Sequence, residues 1–299
     1  MAILLTGASG FLGYQLLNRL IEEGREVVAV SRRSLEKQSS HSLSKIHWCE
    51  QDIAAEGISL KGMPNIEAVV HLAGATLGAG NDEAQFLYAN EMTTVRMLQS
   101  LAGRVERFVF ASSQVVYGDV RQLNVNEESP LHPDGSAYAC SKLNSENWIR
   151  WFHRKYGGQY FILRFCGFID GGGLVDYLIE RALKGEVIEL YSNGAVRRDY
   201  LPTSAAIDVL VSALDSRETN EVIPVNIGSG QIYSALELAK LVCEELGSTS
   251  EINLLEHPAP QGDLIFDIEC ARRMFGFEPE CLGDVIRQYV SARAGKYNN

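Results

Sequence analysis

A glycine-rich turn near the start of the chain limits the folds that this sequence can adopt more than any other segment does. Thr6 to Gly13 reads TGASGFLG; it follows the apolar run Ile3 to Leu5 and precedes leucines at helical spacing. Gly7 permits a tight turn, Gly10 lets a pyrophosphate approach the backbone, and Gly13 allows close packing of helix on strand. N–H groups at a helix N-terminus bind anions. The sequence therefore predicts a dinucleotide-binding unit, with contacts from Gly7, Ser9, Gly10, Phe11, Leu12 and Gly13.

Apolar runs bounded by turn residues alternate with helical periodicity, which is typical of βαβ units and a parallel sheet. The clearest further strands are Val27 to Val30, Ala68 to Leu72, Phe108 to Ala111 and Phe161 to Phe165, and the crossover helices are Asn90 to Leu101 and Tyr138 to Tyr156. After about residue 164 the pattern loosens. We predict an α/β fold: a Rossmann doubly wound parallel sheet over residues 1–165 and a smaller C-terminal, mainly substrate-binding domain over 166–299. Some segments of the latter, about 200–230, are expected to return to the first domain.

Composition excludes several functional classes. Of 299 residues, 46% are hydrophobic and 22% charged, as in a globular protein. The net charge of −11 argues against nucleic acid or an anionic membrane as partner. Six cysteines without a C-x-x-C pair or zinc spacing predict reduced thiols and no metal site. Because no apolar stretch approaches about 20 residues and the start does not resemble a signal peptide, we expect a cytoplasmic protein.

Cofactor choice is predicted from the end of the second strand, which reads Ser31-Arg32-Arg33. An acidic residue there would bind the ribose hydroxyls of NAD, whereas an arginine pairs with the 2′-phosphate of NADP. The alternative is a pair of solvated arginines beside a loop. The cofactor is therefore NADP or NAD, with NADP favoured.

A candidate catalytic group lies on the later crossover helix. Tyr138 and Lys142 are four residues apart and share a helix face, although chance alone often produces such a pair. Ser112 and Ser113 end a strand at the sheet edge where open α/β folds place their sites. Tyrosine, with a pKa of about 10, needs a nearby cation to act as a base. We therefore predict that Lys142 lowers the pKa of Tyr138 and holds the nicotinamide ribose, while Ser113 donates to the substrate oxygen.

These motifs resemble the extended short-chain dehydrogenase/reductases, also called the NAD-dependent epimerase/dehydratase family, over nearly the whole chain. Further matching segments are Asp52-Ile53, His71 to Gly74, Ser112 to Gly118, Gly194 to Tyr200 and Asn226 to Gly230. The resemblance implies the catalytic residues Ser113, Tyr138 and Lys142 and a homodimer. It implies substrate contacts from Ser113, Tyr138 and Arg198. It also implies cofactor contacts from Asp52, Ile53, Leu72, Ala73, Gly74, Asn90, Ser112, Tyr138 and Lys142.

The chain departs from the family pattern at three places. The 4,6-dehydratases carry an Asp-Glu pair where this chain has Gln114 and Val115, so dehydration is not expected. The run from Arg164 to Asp170 lacks a substrate-binding asparagine of the family. The Gly-Asp at 262–263 lacks a preceding arginine, so substrate contacts differ.

The turn at residues 228–230 is interpreted as structural rather than as a second phosphate cradle.

The resemblance implies a nucleotide-sugar epimerase, acting at C4. In this interpretation Tyr138 removes a hydroxyl proton, the cofactor takes a hydride, and the keto-sugar is reduced on its other face. The first alternative is an NADP-dependent reductase of a keto-sugar or other carbonyl, which Ser31 and Arg32 favour. The second is a non-catalytic NAD(P)-sensing regulator, against which the intact Ser113, Tyr138 and Lys142 count. The identity of the sugar and of the base stays open.

Overall fold

The computed structural model describes residues 2–32, 45–77, 80, 82–101, 103–216, 220–259 and 262–297. The predicted cofactor contact Arg33 lies outside the described residues. The strands are β1 (Ala2–Thr6), β2 (Val27–Ser31), β3 (Ile46–Glu50), β4 (Ile66–His71), β5 (Arg107–Ser113), β6 (Gln122–Val125), β7 (Gln159–Phe165), β8 (Gly167–Phe168), β9 (Ile188–Leu190), β10 (Arg197–Arg198), β11 (Tyr200–Leu201), β12 (Val222–Ile227), β13 (Tyr233–Ser234), β14 (Ile252–Leu254) and β15 (Leu264–Phe266).

The α-helices are α1 (Phe11–Glu22), α2 (Ile53–Glu56), α3 (Glu83–Phe86), α4 (Thr93–Leu101), α5 (Ala137–Tyr156), α6 (Leu174–Lys184), α7 (Thr203–Asp215), α8 (Ala235–Leu246), α9 (Glu269–Phe275) and α10 (Leu282–Tyr297). A π-helical segment, Leu87–Met92, joins α3 to α4. Within the described ranges, no helix is both long enough and apolar enough to cross a membrane.

The main sheet has the strand order β12-β7-β5-β4-β1-β2-β3. Strands β1 to β5 pair in parallel, with Ile3 opposite Val27 on one side and Ala68 on the other. Every residue of β1 and β2 is buried, as expected for parallel strands covered on both faces. The chain runs outward from β1 to β3 and then returns to β4, so the order reverses between β1 and β4. The predicted Rossmann fold class is confirmed.

The predicted strands at β1, β2, β4, β5 and β7 are confirmed. One strand was not predicted, and the start of one helix was predicted wrongly. β3 (IHWCE) is only partly buried and has a weak pattern. The predicted helix start at Asn90 is wrong, because the helix begins at Glu83. Asp82 caps it, accepting from the Gln85 N–H (2.8 Å), while the Gln85 side chain accepts from the Asp82 N–H (2.8 Å).

The chain divides into two compact units. Unit 1 comprises the chain up to Val116, Leu131–Arg164 and Ile207–Val225, and unit 2 comprises Tyr117–Pro130, Phe165–Ala206 and the chain from Asn226 onwards. Residues 117–130, which sequence patterns assigned to the dinucleotide-binding domain, lie in unit 2 because β6 pairs with β15. The core of unit 2 contains α6, α8 and α10, with Leu178, Leu238 and Ile286 fully buried.

Candidate active site

Gly7, in the turn after β1, and Gly13, in α1, have no space for a side chain. Gly7 has a positive φ of +70°, and its N–H donates to the Val30 carbonyl (3.1 Å). A Cβ on Gly7 would lie 2.7 Å from the Ala73 nitrogen, and one on Gly13 would lie 2.1 Å from the Gly7 oxygen. Both are backbone atoms that cannot move independently. Gly7 and Gly13 thus allow β1, α1 and the segment after β4 to approach closely.

The N-terminus of α1 has the features of an anion site. Gly10 is the N-cap residue; no side chain caps the helix, and its first turn contains no acidic residue. The first N–H groups of a helix lack intrahelical acceptors, and here no side chain supplies one. A pyrophosphate at this position would accept those hydrogen bonds and interact favourably with the helix dipole. The residues present therefore fit a dinucleotide.

An open cleft lies at the carboxyl ends of β1, β2 and β4, where the strand order reverses; it contains about 750 Å³ of empty space, open solvent included. Predicted cofactor contacts that line it are Gly7, Ser9, Gly10, Ser31, Arg32, Asp52, Ile53, Leu72, Ala73 and Gly74. Lining residues that the sequence did not indicate are Val30, Gln51, Tyr88, Ala89 and Thr93. Predicted contacts that are not among the lining residues are Phe11, Leu12, Gly13, Asn90, Ser112, Tyr138 and Lys142.

At one end of this cleft, Asp52 connects two elements. Its carboxylate accepts from the N–H groups of Ala54 (3.1 Å) and Ala55 (3.3 Å) and so caps α2. It also accepts a hydrogen bond from the Tyr88 hydroxyl, and Arg32 lies close enough to act on that phenol. Tyr88 is one of the lining residues for which the sequence carried no signal; it comes from the π-helical segment far along the chain.

The structure brings together Ser113, Tyr138 and Lys142. Tyr138 is 8% exposed and its hydroxyl is hydrogen-bonded to the Ser113 side chain. The Lys142 ammonium donates to the Ala111 carbonyl (2.8 Å) and lies 6.0 Å from the centroid of the Tyr138 ring. The serine comes from the end of β5 and the other two residues from one face of α5. This arrangement can hold a proton at the phenol oxygen and a cation behind it.

The predicted net lowering of the Tyr138 pKa is wrong for this structure, in which that pKa is raised. Burial raises the pKa of the Tyr138 phenol, and the hydrogen bond with Ser113 offsets part of that rise. Burial also lowers the pKa of Lys142 to about 8, against the opposing effect of Glu146. Desolvation is therefore the largest effect at both groups: it outweighs the Ser113 hydrogen bond at Tyr138 and the Glu146 charge at Lys142.

Asn90, a predicted cofactor contact, joins two protein segments in this structure. Its amide oxygen accepts from the Ala75 N–H (2.6 Å), and its amide nitrogen donates to the Ser141 hydroxyl of α5 (2.9 Å). A Cβ on Gly74 would lie 2.6 Å from that amide oxygen. Asn90 therefore fixes the segment after β4 against the helix that carries Tyr138.

His71 is a buried neutral base. Burial and the nearby Lys142 lower its pKa to about 3. The Thr94 hydroxyl donates to the Asn90 carbonyl (2.7 Å), so it accepts from the His71 Nε2–H at 3.0 Å. Nδ1 then accepts from the Thr6 hydroxyl (2.7 Å). This chain of hydrogen bonds connects β1, β4 and α4 beside the cleft.

Ser112 and Ser113 point in opposite directions, as neighbours on a strand do. The Ser112 hydroxyl donates to Glu146 Oε1 (2.6 Å) inside unit 1. Arg164 of β7 donates to the same carboxylate from Nε (3.0 Å, to Oε1) and Nη2 (2.7 Å, to Oε2). The Glu146 and Arg164 side chains are 0% and 1% exposed. Ser112, another predicted cofactor contact, thus belongs to a buried network that the sequence did not indicate.

In unit 2, the glycine turn at residues 228–230 is filled by a side chain. The Asp199 carboxylate accepts from the Ser229 N–H (2.8 Å), the Ser229 hydroxyl (2.7 Å) and the Gly230 N–H (3.1 Å). These donors already have an anion, so the interpretation as a structural turn is confirmed. Arg197 pairs with Asp263, while Arg198 is partly buried and near Asp119 and Asp263. No cluster of three or more potential metal ligands occurs among the described residues.

Comparisons with known proteins agree with this geometry. The structure of UDP-glucose 4-epimerase with UDP-glucose from Thermotoga maritima has a TM-score of 0.85, 26% identity, and coverage of 99% of this chain and 100% of that chain. MoeE5 in complex with UDP-glucose and NAD has a TM-score of 0.81, 26% identity, and coverage of 98% and 99%. UDP-glucuronic acid decarboxylase 3 of Arabidopsis thaliana is 26% identical over 295 residues, 94% of this chain and 85% of the relative.

A sequence profile extends the agreement along the chain. The profile described as the NAD dependent epimerase/dehydratase family matches residues 3–228, which is well over half of the chain. That stretch contains the glycine turn, the cleft and the group formed by Ser113, Tyr138 and Lys142. The chain therefore belongs to the NAD-dependent epimerase/dehydratase family and is an enzyme of that family.

Proposed function

We propose that this enzyme epimerises a nucleotide sugar at C4 by transient oxidation and return of the hydride. The observation that carries the proposal is the hydrogen bond between Tyr138 and Ser113 beside the buried Lys142 ammonium, in the same unit as the dinucleotide cleft. The structural similarity to a UDP-glucose 4-epimerase supports it. The predicted contact of Arg198 with the substrate diphosphate stays a prediction.

The side chains divide the proton chemistry between them. A bound pyridine nucleotide supplies a reversible hydride acceptor. Tyr138 takes the proton of the C4 hydroxyl as that carbon is oxidised and gives it back when the ketone is reduced on its other face. Ser113 donates to the same oxygen, and Lys142 stabilises negative charge on the phenol. Proton and hydride both return to the sugar, so the coenzyme shows no net change.

A substrate panel tests this function. Purified enzyme is incubated with UDP-glucose, UDP-galactose and UDP-glucuronic acid, with NAD or NADP, and the products are identified by NMR. We expect the C4 epimer without net change of coenzyme. Release of CO₂ from UDP-glucuronic acid would instead indicate decarboxylation, as in the relative from Arabidopsis thaliana. Net consumption of NADPH with a ketone would indicate a reductase, and coenzyme binding without any turnover would indicate a sensor.

We also propose that NADP is accepted at the cleft, because Arg32 is exposed and lines it beside Ser31. Arg32→Ala is expected to weaken NADP binding about tenfold or more, the value of a lost charge-assisted hydrogen bond, and to change NAD binding less than about twofold. Calorimetric titration with both coenzymes measures this. Arg19→Ala removes an exposed arginine of α1 outside the cleft and serves as the control. Equal losses for both coenzymes would contradict a contact with the 2′-phosphate.

We further propose a homodimer that uses the outer face of α5. Trp148 and Trp151 on that helix are 38% and 42% exposed, although tryptophan is usually well buried. The double variant Trp148→Glu/Trp151→Glu is expected to be a monomer of 33.0 kDa where the wild type is a dimer in light scattering. Tyr191→Glu, at a 52% exposed aromatic of unit 2, is the control and should remain a dimer. A dimeric double variant would exclude this face.

A further inference from the structure

The Glu146 carboxylate lies one helical turn beyond Lys142 on α5, and both of its oxygens are hydrogen-bonded to other partners. Oε1 accepts from the Ser112 hydroxyl (2.6 Å) and Arg164 Nε (3.0 Å), and Oε2 accepts from Arg164 Nη2 (2.7 Å). Arg150 Nη2 lies 3.7 Å from Oε2 with a side chain that is 32% exposed. A buried carboxylate with partners from β5 and β7 is therefore held in one position.

Lysine and glutamate four residues apart on a helix are close enough to form an ion pair. Here the Lys142 ammonium instead donates to the Ala111 carbonyl, 4.9 Å from the centroid of the Phe110 ring. Pairing with Glu146 would draw the ammonium along α5, away from Tyr138, which lies one turn in the other direction.

Among the residues that the structure describes, few charged or titratable groups lie around Lys142. α5 contributes Tyr138 and Glu146, and β4 contributes His71, which is neutral at ordinary pH. β7 contributes Arg164 through its pair with Glu146. β5 contributes only the Ala111 carbonyl and the Phe110 ring. Glu146 is thus the anionic group that competes for the ammonium.

We propose that Arg164 and Ser112 are positioning residues: by occupying Glu146, they keep its carboxylate from pairing with Lys142 and leave the ammonium available beside Tyr138. The inference rests on the proposed function only for the use made of that ammonium, namely to stabilise the Tyr138 phenolate during oxidation of the sugar. The arrangement itself is a property of unit 1 and is measurable without substrate.

The direct test is the ionisation of Lys142. The chain contains eight lysines, so NMR of protein with ¹³Cε-labelled lysine gives at most eight signals. The Lys142 signal is the one that is lost in Lys142→Met. We expect Arg164→Gln to raise the pKa of Lys142 by about one pH unit, because an unmatched carboxylate favours the ammonium. Glu146→Gln is expected to lower that pKa, because it removes the group that opposes burial. Arg150→Gln is the control: it removes a charge 3.7 Å from the same carboxylate but on a partly exposed side chain, and it should shift the pKa by less than about 0.3.

A double-variant cycle separates the proposed effect from the direct repulsion between two cations. The cycle compares the effect of Arg164→Gln on the Lys142 pKa in the wild type and in Glu146→Gln. We expect a far smaller rise of that pKa in the Glu146→Gln background. An equal rise in both backgrounds would overturn the proposal. If Arg164→Gln does not fold, Ser112→Ala decides the matter: it frees part of Oε1 and should raise the pKa by a few tenths. No rise in Ser112→Ala would then overturn it.

Turnover supplies a second readout. Arg164→Gln and Ser112→Ala are expected to lower kcat and to shift the midpoint of its pH-dependent rise to higher pH. Glu146→Gln is expected to shift that midpoint to lower pH. A network that only stabilises the fold would lower activity in all three variants without opposite shifts of the pH profile. If the enzyme has none of the proposed activities, the NMR titration still tests the positioning role of Arg164 and Ser112. Failure of the proposed function is therefore distinguishable from failure of this inference.

Discussion

Tyr138→Phe is expected to lower kcat about 100-fold or more while leaving coenzyme affinity within about twofold of the wild type. The change removes the hydroxyl, the only ionisable group of the Tyr138 side chain, and keeps the ring. That ring packs against Phe86, with centroids 5.6 Å apart, so the phenylalanine fills the same space. The loss should therefore appear in kcat rather than in folding. Steady-state kinetics of epimer formation and calorimetric binding of NAD measure the two quantities separately.

A matched control exists on β7. Tyr160 is also buried (6% exposed) and packs against Phe108 at 5.6 Å, but it is not hydrogen-bonded to Ser113. Tyr160→Phe should leave kcat within about twofold, since it changes a buried phenol of the same unit without touching the site. Undiminished turnover in Tyr138→Phe, or equal losses in both variants, would mean that Tyr138 does not transfer the proton.

Gly13→Ala is expected to abolish tight coenzyme binding and to destabilise unit 1. The added Cβ would lie 2.1 Å from the Gly7 carbonyl oxygen, so α1 must move away from the glycine turn. Overpacking of this kind costs about 1–3 kcal/mol, and the displaced helix N-terminus would no longer face the pyrophosphate. We expect a lower free energy of unfolding in denaturant titrations and at least about a tenfold loss of NAD affinity by calorimetry.

Gly295→Ala is the control for this variant. Gly295 is also helical, in α10, but a Cβ there meets nothing within 4 Å. Alanine in a helix is more favourable than glycine by about 0.5–1 kcal/mol, so the control should be neutral or slightly stabilising and should bind NAD normally. Wild-type coenzyme affinity in Gly13→Ala would show that the helix position is not required.

The parts of the site that could be predicted are those encoded by residues near one another in sequence. The glycine turn requires specific residues at fixed offsets, and Tyr138 and Lys142 are one helical turn apart. Tyr88 reaches the same cleft from the π-helical segment, which has no comparable local pattern. The same holds for residues 117–130, which join unit 2 through pairing of β6 with β15, about 140 residues later.

Electrostatic predictions failed for a different reason. The sequence placed a cation near a phenol, and the expected effect was a lower pKa of Tyr138. Burial depends on the whole packing around α5 and β5, and it raises that pKa instead. In the same way, Ser112 and Ser113 are adjacent in sequence, but only the direction of the pleat decides that Ser113 contacts Tyr138 and Ser112 contacts Glu146.

The π-helical segment Leu87–Met92 has a consequence for how this wall of the cleft can vary. A π-helical turn contains one residue more than an α-helical turn. With this extra residue, Tyr88 and Ala89 reach the cleft while Asn90 faces α5. Deleting one residue there would restore a regular helix and rotate all preceding side chains by about 100°. The coenzyme wall and the support of the catalytic helix would then be lost together, so insertions and deletions at this turn should be far less tolerated than substitutions.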